Sequence, residues 1–408
     1  MENYAVRRER WYGPMKTLFP WETIAKDEYA LASWTPVFSQ QCQELQAAAA
    51  EGLAALWHKV ALVASRGDSR LLRWLGLPAG AREAVREALQ LPWLTALGRF
   101  DFVQTAAGWK VLEYNCDTPS GVVEALAVNG KICACEGRQN PNAAGEELLR
   151  QAIAESLQIA RRAGLHGVAA FSALGSHSED AGTMKYWQSL AAEGEFVPLE
   201  ELRYERESLT SAASEKIGCW FRLHPWEVMV RECAADGFPT GKRVLELAAS
   251  RKLLAVNPPL ALVGQSKALQ ALIWQLYEAE EFLTQPERHL VQTYMLPTYR
   301  QNVFLGKASY VRKPLWGREG GGVTLHAADG GLLLGSRGGW HGAAIYQQAV
   351  ELERMQVMTQ KGLQEGRRLW GAFVAGGSFA GVLVRLGAAI TDDQAWMTPV
   401  YLSEEGSE

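Results

Sequence analysis

The sequence predicts a mixed α and β protein, α+β or α/β, with at least three sub-domains, and three observations carry that reading. The chain has 408 residues, beyond the size at which one hydrophobic core stops growing. Its first quarter is mostly helical in periodicity. Its last third is a series of β-type segments separated by glycine turns. These divisions give 1–95 as a mostly helical region, 96–240 as an α/β region and 241–408 as a third unit.

Taken in order, residues 36–65 carry apolar residues at helical spacing and are closed by RGDSR, and a second helix covers 80–90. Residues 146–164 form an amphipathic helix ended by Gly164, and the apolar run 166–174 after it predicts a buried strand of a βαβ-like segment. Residues 183–194 have helical spacing, EFVPLEEL is expected to be extended, 217–223 to be a strand, and PWEVMVRECAADG a helix. After Gly241 come a helix, a proline-broken loop and a second helix, then strands through SYVRKPLWGREGGGVTLHAADGGLLLGS, AAIYQQAVEL, RLWGAFVAGGSFAGVLVRLG and AAITDD.

Hydrophobic residues make up 48% and charged residues 21%, with a net charge of −4, the balance of an ordinary soluble globular protein. No nucleic-acid partner is expected: the basic run AVRRERW is short and fits a solvated arm. With no secretory pattern and no apolar run approaching 18 residues, a cytoplasmic protein without a membrane partner is expected. The six cysteines include no C-x-x-C pair and the histidines no i,i+4 pair beside Glu, so neither a zinc site nor a disulfide framework is signalled. Of the fifteen tryptophans, Trp74, Trp93, Trp109, Trp187 and Trp274 sit in apolar contexts that fit core packing.

One short stretch is crowded with charge. In RFDFVQTAAGWKVLEYNCDTPSG, residues 99–121, strand alternation puts Arg99 and Asp101 on one face and Phe100 and Phe102 on the other. Glu113 and Asn115 share a face in the same way. A three-residue turn, Ala106-Ala107-Gly108, sets Asp101 opposite Glu113 and Arg99 opposite Asn115. Facing carboxylates repel unless a cation lies between them. Mg²⁺ held by Asp101, Glu113 and the Asn115 amide oxygen would supply it, with Arg99 beside a phosphate. A salt-bridged hairpin with nothing bound fits the same residues.

The second cluster is YVRKPLWGREGGGVTL, residues 310–325, where Gly317, Gly320, Gly321 and Gly322 interleave with Lys313, Arg318 and Glu319. It lacks the Walker spacing, yet glycines allow backbone N–H groups close to an anion, so a flap over phosphates is chemically sensible; a plain hairpin turn is the alternative. Lys267 begins a helix, a poor place for a cation unless a ligand meets it.

Together these stretches resemble the glutathionylspermidine synthase-like ATP-grasp family. GRFDF…KVLEYNCDTPSGVVEA is similar to its R-x-D…E-x-N-x-D-T-P-x-x-x-x-E signature, CWFRLHPWEVMVRE to its Y/H-P-W-E-W-M block, YVRKPLWGREGGGV to its K-P-x-x-G-R-E-G loop and 371–391 to its last strand. The resemblance implies a circularly permuted ATP-grasp fold, with 96–240 a preATP-grasp-like region carrying the metal hairpin and 241–408 the nucleotide-binding lobes. It implies Asp101, Glu113 and Asn115 as Mg²⁺ ligands and Arg99, Arg318 and Arg385 as catalytic cations. It implies ATP binding by Lys267, Lys313, Gly317, Glu319, Gly320, Gly321, Gly322 and Gln347. Thr118, Ser120 and Glu124 would line the acceptor-carboxylate pocket, and Glu179 and Asp180 would lie near the amine. The chain departs from the family at VNPPLALVGQSK, where Asn257, Pro258 and Ser266 precede Lys267, and no amidase module is expected in its first 95 residues.

The activity implied is an ADP-forming carboxylate–amine ligase working through an acyl phosphate. Its substrates would be a small carboxylate, such as a peptide or glutathione-like acid, and an amine, such as a polyamine or amino acid. A catalytically silent ATP-binding scaffold and a kinase that stops at the phosphorylated product are the competing readings.

Overall fold

The N-terminal basic run is anchored rather than solvated. In the computed structural model, which describes residues 3–403 except 25, 35–37, 206 and 336–341, Tyr4–Tyr12 form helix α1 with Asn3 as its cap. Trp11 and Tyr12 are buried, and the buried Arg8 pairs with Glu22 and Glu28, so internal carboxylates take up the charge. Residues 36 and 37 of the expected 36–65 helix, and Ser336, lie outside the described residues.

Helix α2 (Gln40–Ser65) starts where the Ser39 side chain accepts from the Cys42 amide. Its length and apolarity would suffice to cross a bilayer, but half of its most apolar stretch is buried inside this fold. Strands β1 (Leu97–Thr105) and β2 (Gly108–Asn115) follow, then α3 (Asn129–Glu136) and α4 (Gly145–Arg162), the latter ended by Gly164 as expected. Next come β3 (Val168–Ser172), α5 (Ser178–Leu190), β4 (Lys216–Arg222), the single turn α6 (Trp226–Met229), β5 (Leu254–Val256) and α7 (Lys267–Glu278). The last third supplies β6 (Tyr310–Pro314), β7 (Thr324–His326), β8 (Leu332–Gly335), β9 (Ala344–Gln348), β10 (Gly362–Ala375), β11 (Ser378–Gly387) and β12 (Trp396–Thr398).

These strands form three main sheets. One has a parallel centre, β3 beside β4 and β4 beside β5, which contains the expected βαβ order. A second is antiparallel, in the order Thr298–Tyr299, β9, β6, β7, β8. The third runs β12, β11, β10, β1, β2, so the hairpin from the 96–240 segment pairs with strands of the 241–408 segment.

Several elements depart from expectation. PWEVMVRECAADG is helical only at α6, because helix Thr240–Ala249 closes onto it: a Cβ on Gly241 would lie 1.6 Å from the Met229 carbonyl oxygen. EFVPLEEL is a strand only at Glu195–Phe196, since Pro198 has no N–H for a ladder, and a 3₁₀ turn follows at Leu199–Glu201. AAITDD is a loop that packs under the glycine flap. Helix Gln285–Tyr294 is an element beyond those expected, although its capping box, Thr284 with Glu287, is a sequence-level signal. Trp109, Trp187 and Trp274 are core residues, whereas Trp74 and Trp93 are half-buried.

Candidate active site

The hairpin β1–β2 sorts its residues by face as alternation requires. On the back, Phe100 stacks on Tyr114 with ring centroids 3.7 Å apart, and Trp57 of α2 meets both edge-on. On the front, Arg99 pairs with Asn115 and Asp101 with Glu113, the expected partners. The route differs: the turn is two residues, with Thr105 opposite Gly108, and a β-bulge beside Asp101 restores the register by adding Leu112. Gly108 holds φ +91°, a conformation glycine adopts without cost. The Leu112 carbonyl accepts from the Lys313 ammonium at 3.1 Å.

Each of the two carboxylates already has cations of the chain as partners. Asp101 is 2% exposed; its Oδ1 accepts from Arg99 Nε at 2.7 Å and its Oδ2 from Arg385 at 2.9 Å. Glu113 meets the Lys267 ammonium at 3.2 Å. Burial pushes the Glu113 carboxyl up, but Lys267 and Lys313 outweigh it and hold it at about 2. Burial, reinforced by Lys267, brings Lys313 down to about 8 despite Glu113. The facing carboxylates therefore do not by themselves require a metal. Among the described residues, no three His, Cys, Asp or Glu side chains gather as a metal cluster. The Glu113 carboxylate and the Asn115 amide oxygen remain oxygen donors of the kind Mg²⁺ takes, on the wall of the cavity.

The turn after β2 is tied from below. Asp117 and Arg222, both buried, pair at 2.6 Å, and Asp117 also accepts from the Trp226 amide at 2.9 Å. The Arg222 guanidinium lies 3.8 Å from the Trp226 ring centroid. Asn257 accepts from the Ala96 amide and donates to the carbonyls of Leu97 and Asp117. Gln265 accepts from the Cys116 and Asp117 amides. The 257–266 stretch thus fastens the hairpin, and Ser266 caps α7 so that Lys267 starts it in the cavity wall.

The glycine loop closes the other side. Lys267 donates to the Gly317 carbonyl at 2.7 Å. Arg318, expected beside phosphate, turns its guanidinium to Glu227 at 2.7 Å and to Thr118 at 2.8 Å. Gly320, at φ +69°, lies so close to the Thr391 carbonyl oxygen that a Cβ would stand 2.7 Å from it. Two loop amides are used internally, Gly321 donating to Arg318 and Val323 to Gly320.

One cavity of about 620 Å³ unites most of these groups. Arg99, Asp101, Glu113, Asn115 and Arg385 line it, as do Lys267, Lys313, Gly317, Glu319, Gly320 and Gln347. Thr118, Ser120, Asp180 and Arg318 line it too, whereas Gly321, Gly322, Glu124 and Glu179 do not. Glu124 is buried behind the wall, accepting from Trp21 Nε1 at 2.8 Å and the Tyr29 hydroxyl at 3.2 Å. Burial, then the charges of Glu124, Asp180 and Glu319, raises Glu179 to about 8. Sequence reasoning missed Glu227 and Arg222, although both lie in the quoted CWFRLHPWEVMVRE block, and Arg367 of β10, which also lines the cavity.

Four cations, Arg99, Arg385, Lys267 and Lys313, thus face two carboxylates, Asp101 and Glu113, in a cleft with an apolar wall. Arg318 and Arg367 bring the lining cations to six, and Asp180, Glu319 and Glu351 bring the lining carboxylates to five, so positive charge exceeds negative mainly around the hairpin. The chain belongs to the glutathionylspermidine synthase preATP-grasp family, whose model matches residues 33–403. It is 25% identical over 279 residues to a putative acid–amine ligase of Haemophilus influenzae, covering 64% of this chain and 64% of that relative's length. Its fold is similar to that of a glutathione synthetase-like effector from Globodera pallida, solved in its apo form. That match has a TM-score of 0.60 and 11% identity, and covers 99% of this chain and 98% of that one.

Proposed function

We propose that this protein is an ATP-dependent, ADP-forming acid–amine ligase of glutathionylspermidine synthase type, with a permuted ATP-grasp arrangement, joining a small carboxylate to an amine through an acyl phosphate. The observation that carries the reading is the convergence of four buried or half-buried cations on Asp101, Glu113 and Asn115 in one cavity. In this division of labour, 241–408 supplies the nucleotide lobes and 96–240 the hairpin.

Lys267, Arg99 and Arg385 would trade their present carboxylate partners, and Lys313 the Leu112 carbonyl, for phosphate oxygens. Gln347 and the apolar side chains of Val311 and Leu325 would hold the base. Mg²⁺ on Glu113, Asn115 and Asp101 would neutralise charge on the phosphates. Thr118, Ser120 and Arg318 form the part of the wall that fits an acceptor carboxylate. Asp180 and Glu319, on the cavity wall, would favour a cationic amine. The glycine loop shields the reacting groups from water.

The test is ADP release from Mg-ATP with a panel of peptide acids crossed with polyamines and amino acids, alongside hydroxylamine trapping. ADP release that needs both an acid and an amine supports the ligase. Nucleotide binding without release by any pair supports the silent scaffold, and ADP release with the acid alone, giving trapped product but no amide when amine is added, supports the kinase.

A further inference from the structure

A second cavity, of about 970 Å³, is not used by the ligase reading. One face of α5 lines it, through Ser178, Ala181, Gly182, Lys185, Tyr186 and Ser189, at spacings i, i+3, i+4, i+7, i+8 and i+11. Asp180, which lines the candidate active site, projects from the opposite face of the same helix. Helix α5 therefore separates two cavities.

The wall facing α5 comes from the N-terminal segment, with Trp11 of α1 followed by Met15, Leu18 and Trp21. Three aromatic side chains tie their polar atoms to carboxylates that do not line the cavity: Trp11 Nε1 donates to Glu136 at 2.6 Å, Trp21 Nε1 to Glu124 at 2.8 Å and the Tyr186 hydroxyl to Glu146 at 2.8 Å. Their carbon faces are what remains for a ligand. Gly182 brings Trp21 close, since a Cβ there would stand 2.3 Å from the indole ring. Among the described residues no Asp or Glu lines the cavity, whereas Arg10, Lys131 and Lys185 do, from three different helices. Arg10 is paired with Glu136, so Lys131 and Lys185, both exposed, set the sign of the rim.

We propose that this cavity is a second binding site, for a small amphipathic anion whose aromatic or alkyl body lies on Trp11, Trp21 and Tyr186 and whose anionic end meets Lys131 and Lys185. The like charge of the rim excludes a polyamine, so the site is not an extension of the amine pocket. It also stands independently of the ligase reading.

The intact protein is titrated with 8-anilinonaphthalene-1-sulfonate, with and without a saturating non-hydrolysable ATP analogue, followed by competition with 3-phenylpropionate, phenyl phosphate and phenethylamine. The expected result, with nucleotide present, is one saturable site that is displaced by the anions but not by phenethylamine; the better of the two anions identifies carboxylate or phosphate as the preferred head group. Lys131→Glu with Lys185→Glu should weaken dye binding about tenfold at an unchanged melting midpoint. If that pair lowers the midpoint, Lys131→Gln with Lys185→Gln should weaken it about threefold. Ser189→Trp, which fills one end of the cavity, should reduce binding with the rim charges intact. Dye binding that is unsaturable, indifferent to both lysine pairs, or displaced equally by phenethylamine overturns the proposal.

Discussion

The hairpin floor and the glycine loop face the same cavity, yet they are held in opposite ways. The floor is fixed by buried contacts that have no alternative: the Phe100–Tyr114–Trp57 cluster behind it, and Asp117, Arg222, Asn257 and Gln265 beneath its last turn. The loop is held by groups that a ligand could replace, the Lys267 bond to Gly317 and the Arg318 pair with Glu227. Damage to the floor should therefore appear as lost stability, and damage to the loop as altered access and binding.

The comparison breaks most visibly at Asp117. Asp117→Ala leaves the buried Arg222 charge without its partner carboxylate and should cost about 3–5 kcal/mol in urea unfolding. Arg385→Ala should instead lower amine-dependent ADP release about 10²- to 10³-fold, with an unfolding midpoint much nearer that of the unaltered protein. A stability loss as large as that of Asp117→Ala would place Arg385 with the floor. Glu227→Gln removes the charge that holds Arg318 and should make the 317–322 loop about tenfold more sensitive to limited proteolysis, since a charge-assisted bond is worth about 1.5–3 kcal/mol. Unchanged cleavage would mean that Gly320 on Thr391 is the true fastening.

The smallest effect concerns pH. Glu179 rises from the ordinary 4.5 to about 8 through burial and the neighbouring carboxylates. Between those values the folded protein holds a proton that the unfolded chain has lost, so stability from this group falls as pH rises from about 4.5 to 8. Glu179→Gln should flatten that slope in melting curves taken from pH 5 to 9. A cationic amine bound nearby favours the ionised carboxylate, so amine binding should release protons below pH 8, measurable by calorimetry in buffers of different ionisation heat. The same proton release from Glu179→Gln would assign it to another group.

What the chain determines locally, it determines by period. Alternation along 99–115 placed Arg99, Asp101, Glu113 and Asn115 on one face, and helical spacing set α2 and α4. The glycines of 317–322 announced a loop able to approach other backbone, and Gly320 does so. Even there the right pairing was reached through the wrong turn, because a bulge is a response to neighbouring strands and leaves no local signature at Leu112.

Only the tertiary structure decided which charges meet. Arg318 selects Glu227 and Thr118, Asp101 takes two arginines, and β1 finds β10 more than 250 residues downstream by number. It likewise turned Asn257 into a tie beneath the hairpin and made α5 a partition between two cavities. Periodicity depends on the dihedral angles of adjacent residues and is written in the chain. The partner of a buried charge depends on which distant segment arrives beside it, and that is settled only when the sheets and helices pack.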